Sequence, residues 1–166
     1  MHSNKKALSA ELTDEATAAV SEYPISFAIF ALARSHRGLG SQLIREAGLF
    51  PGQEIILMQL FQQDGQSQNS LSRTLRLDHS TIAKSIRRLA DAGLITRSRS
   101  AEDGRVALVH LTEAGWKLQP YVSGAWDKLE QITTENLNGE EKAMLQALSQ
   151  KIAFSIDAHI NKHGER

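Results

Sequence analysis

Ser80, Thr81, Lys84, Ser85 and Arg88 recur at intervals that put them on one side of a helix, while Ile82, Ile86 and Leu89 fall on the other. Short hydroxyls at a helix N-terminus followed by basic side chains suit a polyanion. The hydroxyls and unpaired first-turn N–H groups take phosphate oxygens and polar base edges, and Lys and Arg supply counter-charge. A merely solvated face has a similar composition, so the neighbouring segments decide between the two. Asp78 precedes the helix as an N-cap, its carboxylate accepting first-turn N–H groups, and Gly93 supplies the helix end.

The elements that would hold this face follow from the flanking pattern. Leu71, Leu75 and Leu77 form a shorter apolar row that Ser67 or Ser70 caps, giving helix, tight turn, helix. Beyond Gly93, Leu94–Ser100 and Arg105–Leu111 are β-type runs joined through Asp103-Gly104, a short-range hairpin signal. A helix-turn-helix followed at once by a basic hairpin predicts a winged helix. Net charge is zero over 166 residues, yet residues 67–111 hold eight basic against four acidic side chains, a local excess of +4. Local charge is what a phosphate backbone meets across a Debye length of about 8–10 Å.

DHSTIAKSIRRLADAGLITR, followed by EDGRVALVHLTEAG, resembles the MarR family of bacterial transcription regulators, densely over Leu71–Gly115 and in helical layout over most of Pro24–Ile160. The family's wing often reads Asp-x-Arg-Asp-x-Arg. Here Asp103 and Arg105 keep the second half, but Ser100 and Glu102 replace the first pair, which predicts weaker wing contacts with Arg105 as the main one. The resemblance implies a homodimer on double-stranded DNA, with recognition helices in major grooves one turn apart and a roughly palindromic operator. It places His79, Ser80, Thr81, Lys84 and Ser85 toward the groove. Arg88 and Arg97 would bind phosphate or brace the wing through Asp103, and Arg105 would reach the minor groove. It also implies a repressor released by a small effector, phenolic or anionic, in the crevice between dimerisation helices and DNA-binding lobe.

His36 is the candidate effector contact, because it lies on the apolar stripe Ile25, Ile29, Leu32, His36, Leu39, Leu43 and Ala47 of a helix running from Pro24 to Ala47 and stopped by Gly48. A histidine bonded to a neighbour in the core or at a subunit interface is the competing reading. The Phe27–Ala33 run is apolar all round and needs burial on more than one side, most simply by a second subunit. Pro51 opens a nearly continuous apolar helix ending at Gly65. Thr112 caps another, and Pro120 forces a kink or restart in it. Trp116 and Trp126 flank that proline as packing residues. Asn138 and Glu141 form a capping box for the last helix, whose stripe is Leu145, Leu148, Ile152, Ile156 and His159 or Ile160. In residues 1–20, Leu8, Leu12, Ala16 and Val20 form a weak stripe that Thr13 caps; a frayed tail reads equally well.

The expected fold is mainly α with a small β hairpin: a winged helix-turn-helix lobe on a helical dimerisation base. Residues 1–48 form the N-terminal extension and first dimerisation helix, 49–115 the DNA-binding lobe, and 116–166 the C-terminal dimerisation helices. Cysteine is absent, which excludes disulfides, thiolate metal sites and a cysteine peroxide sensor. No metal-spaced cluster, Gly-rich phosphate loop or nucleophile motif occurs, so no cofactor, metal or catalytic residue is expected and an enzyme is disfavoured. No apolar run reaches the ~20 residues of a membrane span and none resembles a signal peptide, which points to the cytoplasm. The competing reading is a winged-helix protein-interaction module without DNA binding.

Overall fold

The computed structural model describes residues 22–163; the weak stripe expected in residues 1–20 lies outside them. The first helix, α1, is Pro24–Glu46, opened by its proline at the first position. It ends as its sequence predicts. Gly48 takes φ +78°, its N–H bonds the Arg45 carbonyl, and Leu49 N–H bonds the Ile44 carbonyl, with Ile44 and Leu49 both buried. That paired closure satisfies carbonyls the helix would leave open.

The next helix, α2, spans Gln53–Gln62, shorter at both ends than the expected Pro51–Gly65. Gly52, at φ +95°, is its N-cap, and the Gln53 side chain turns back to accept the Phe50 N–H at 2.9 Å. Three positions of α2, Ile56, Leu57 and Leu60, are fully buried and form the centre of the lobe. Burial also holds the Glu54 carboxyl above its ordinary pKa, against the opposing pull of backbone hydrogen bonds from Glu54 itself and Gly52.

The helix-turn-helix follows: α3, Gln68–Leu75, and α4, His79–Asp91. Ser67 caps α3 through Ser70 N–H, and Asp78 caps α4 through Thr81 N–H. The turn between them repeats the closure seen at Gly48 without a glycine. Arg76 sits at φ 51°, its N–H on the Arg73 carbonyl and Leu77 N–H on the Ser72 carbonyl. The buried Ser72 hydroxyl donates to the Leu77 carbonyl at 2.6 Å, tying the turn from inside. Leu71, Ile82 and Leu89 are fully buried and Ile86 nearly so. Gly93 closes α4 at φ +71°, with Leu94 N–H on the Leu89 carbonyl.

The wing is β2, Ile95–Arg99, antiparallel to β3, Ala107–Leu111. A two-residue strand, β1, Gln66–Ser67, pairs with the other side of β3, giving the order β1-β3-β2. The sequence pattern expected a hairpin alone, because two residues show no alternation. The strands are shorter than expected and the connection is longer, residues 100–106. Asp103-Gly104 is the first half of a turn closed by Val106 N–H on the Asp103 carbonyl, and Gly104 is not left-handed.

Thr112 caps α5, Glu113–Lys117, through Gly115 N–H. Gly115 is required by contact: a Cβ there would overlap the Leu94 carbonyl. The chain restarts as α6, Gln119–Thr134, with Pro120 in its first turn where no backbone donor is needed. Trp116 packs on Phe61 at a ring-centroid distance of 5.7 Å. The last helix, α7, is Gly139–His163. Its capping box is complete, Asn138 N–H to the Glu141 carboxylate and Glu141 N–H to the Asn138 side chain. The chain divides into two compact units within α6, between Ala125 and Trp126. Among the described residues no helix is long and apolar enough to cross a membrane.

Candidate nucleic-acid interface

The first turn of α4 is built around the Asp78 carboxylate. One oxygen accepts the Thr81 N–H at 2.8 Å and the Ser80 hydroxyl at 2.5 Å; the other accepts the Thr81 hydroxyl at 2.6 Å. These bonds, Ser80 first and then Thr81, hold its pKa well below the usual carboxylate range. Both hydroxyls are thus oriented as donors toward Asp78, with lone pairs left to face outward. The Gln68 side chain donates to the His79 carbonyl, linking α3 to the same turn.

His79, Ser80, Thr81, Lys84 and Arg88 are exposed and Ser85 is partly so. Arg87, exposed one residue before Arg88, lies with Ser80 and Lys84 on the side opposite Ile82, Ile86 and Leu89. Its position in the helical repeat marks it as part of the face, although the sequence pattern did not single it out.

The expected brace through Asp103 is absent. Asp103 accepts the Arg105 N–H at 2.9 Å within its own turn, and among the described residues no ion pair joins it to Arg88 or Arg97. Ser100 shapes the same connection by accepting the Glu102 and Asp103 N–H groups, so a residue that breaks the family's wing pattern still orders the wing. Arg97 and Arg105 are exposed. The Arg88 guanidinium instead lies over the Phe50 ring, 5.7 Å from its centroid.

A different group holds the wing to the lobe. Asp64 accepts the Leu111 N–H at 2.9 Å and faces His110 Nδ1 at 3.3 Å, while His110 Nε2 and the Ser98 hydroxyl are 2.8 Å apart. Gly65, at φ +71°, lets the imidazole lie against the backbone: a Cβ there would be 3.0 Å from the ring. The sequence pattern did not single out His110.

His36 is exposed and makes no hydrogen bond among the described residues. A groove of about 360 Å³ on α1, lined by Phe30, Ala33, Arg34, Arg37, Gly38 and Ser41, does not include it. Those six residues occupy the opposite side of α1 from the stripe that carries His36. Among the described residues no group of three His, Asp or Glu is placed to hold a metal ion.

A capped recognition helix behind a short helix, with a two-stranded wing after it, defines a winged helix-turn-helix DNA-binding protein. The MarR family model matches residues 51–107. A MarR transcriptional regulator from Methanosarcina mazei Go1 superposes with TM-score 0.70 at 30% identity, covering 81% of this chain and 97% of that one. The Staphylococcus aureus MepR–DNA complex gives 0.72 at 26% identity, covering 78% and 96%. PcaV from Streptomyces coelicolor, in complex with its natural ligand, gives 0.74 at 26%, covering 85% and 99%. The chain belongs to the MarR family and is a DNA-binding transcription regulator.

Proposed function

We propose that the chain is a homodimeric cytoplasmic repressor that binds a roughly palindromic operator and leaves it when a small effector binds. The observation that carries the DNA reading is the α4 face: polar, exposed and fixed at its N-terminus by a fully engaged cap. His79, Ser80, Thr81, Lys84 and Ser85 enter the major groove. Because Ser80 and Thr81 donate to Asp78, they meet the bases with lone pairs and accept from the amino groups of adenine or cytosine. Arg87, Arg88 and Arg97 take phosphate, and Arg105, at the tip of the wing, reaches the minor groove.

Dimerisation rests on apolar side chains that a single chain leaves exposed: Ile25, Ile29, Phe30 and Leu32 on α1, and Met144, Leu148, Phe154 and Ile156 on α7. Large apolar side chains left exposed along two helices are surface that a second chain can bury. The effector reading takes its support from the ligand-bound PcaV relative and assigns His36 to a phenolic or anionic ligand. A ligand of that kind relieves repression only by binding one arrangement of the dimer better than the other.

Fluorescence anisotropy over a salt series tests this, comparing the duplex upstream of the protein's own coding sequence with a scrambled duplex. Tighter binding of the native duplex at two chains per site is the expected result. Absence of binding to both at low salt overturns it in favour of an interaction module that has kept only the scaffold.

A further inference from the structure

We infer that Phe50 is a positioning residue for Arg88, holding its guanidinium ready for a DNA phosphate; the inference rests on the proposed α4 interface. Phe50 is 64% exposed, yet its backbone is tied at both its N–H and its carbonyl. Its N–H donates to the Gln53 side chain, and its carbonyl accepts the Gln53 N–H at 3.0 Å. Buried Leu49 precedes it, buried Gln53 follows, and the flanking Gly48 and Gly52 both take positive φ. The ring therefore stands on a fixed pedestal beside α4, and the Arg88 guanidinium lies over it at 5.7 Å.

The chemistry of the stack distinguishes it from the ion pair with Asp103 that the sequence suggested. A carboxylate would neutralise Arg88 and occupy two of its N–H donors. An aromatic face neutralises no charge, so Arg88 beside Phe50 keeps its full charge for a phosphate. Arginine otherwise surrenders much side-chain freedom when it is fixed on DNA. Phe50 restricts that freedom before DNA arrives, so it adds affinity without adding charge, and it carries no sequence information because Arg88 lies in the last turn of α4, away from its base-reading end.

A double-mutant cycle tests this, using anisotropy on the native upstream duplex and on a scrambled 30-base-pair duplex over a salt series. Phe50→Leu is expected to weaken both duplexes by the same factor, roughly five- to thirtyfold for two chains each losing one exposed cation–π contact, with the salt slope unchanged. Arg88→Ala should lower the slope by about 1.8, one lost phosphate from each of the two chains, and Phe50→Leu should then cost nothing further. Phe50→Trp should retain wild-type affinity. Thermal melting of each variant confirms that the lobe is folded. An equal cost of Phe50→Leu with and without Arg88 overturns the inference while leaving the interface standing. An Arg88→Ala variant with wild-type slope and affinity also overturns it, by removing Arg88 from DNA; loss of all DNA binding by the wild type would remove the interface as well.

Discussion

The winged lobe and the two long helices, α1 and α7, use apolar residues in opposite ways. In the lobe Ile56, Leu57, Leu60, Leu71, Ile82 and Leu89 are fully buried by their own chain, and most helix ends are closed by a cap or a left-handed turn. On α1 and α7, Ile25 at 69% and Phe154 at 77% exposure stand in water, and α7 is well capped but poorly covered. Local signals thus complete both regions equally, whereas burial completes only one. A helix can be fully specified by its own sequence and still lack the surface that its apolar stripe was built to meet.

The contrast breaks most visibly if charge is placed on α7. Leu148→Asp with Ile152→Asp should yield monomers in sedimentation velocity and lower operator affinity by roughly 100-fold or more, because two linked half-site contacts become independent. Dimers of wild-type affinity would show that this stripe meets something other than a second copy. In the lobe the matching test is Gly115→Ala, expected to cost about 3 kcal/mol in urea unfolding, since the added methyl meets the backbone of Leu94. A cost below about 0.5 kcal/mol would mean the packing there is looser than in a closed core.

Smaller effects sharpen the comparison at the helix ends. Asp78→Ala removes the cap of α4 and should lower the melting temperature by a few degrees. The native pKa of Asp78 is lowered relative to the unfolded chain, so its contribution is present above the unfolded value, near 4, and fades as pH falls below it. The wild type should therefore lose more stability than the variant between neutral pH and pH 3; parallel losses would remove Asp78 as the source. Smallest is Arg105→Ala, which should leave the fold unchanged and flatten the salt slope by about 1.8 if Arg105 of each chain pairs with one phosphate. An unchanged slope and affinity would take it out of the interface.

The parts of the fold that were legible are those whose cause is local. Asp78, Ser67, Thr112 and the Asn138–Glu141 pair cap helices through bonds spanning about one turn, and Gly48 and Gly93 end them by taking a φ that other residues resist. Arg76 escaped because the same left-handed closure was made by a residue with no propensity to mark it. Strand β1 escaped because it exists only through pairing with β3, 43 residues on in the register Gln66 to Val109.

The sequence by itself determined the order of the helices, their caps and the polar face of α4, since a period of 3.6 and a capping side chain act within one segment. Only the tertiary structure decided what distant side chains on that framework touch: Arg88 on Phe50 rather than Asp103, and His110 on Asp64 and Ser98. The physical reason is distance along the chain. Contacts such as Asp64 with Leu111 join residues that no local pattern relates, and they form once the buried core has fixed both backbones in place.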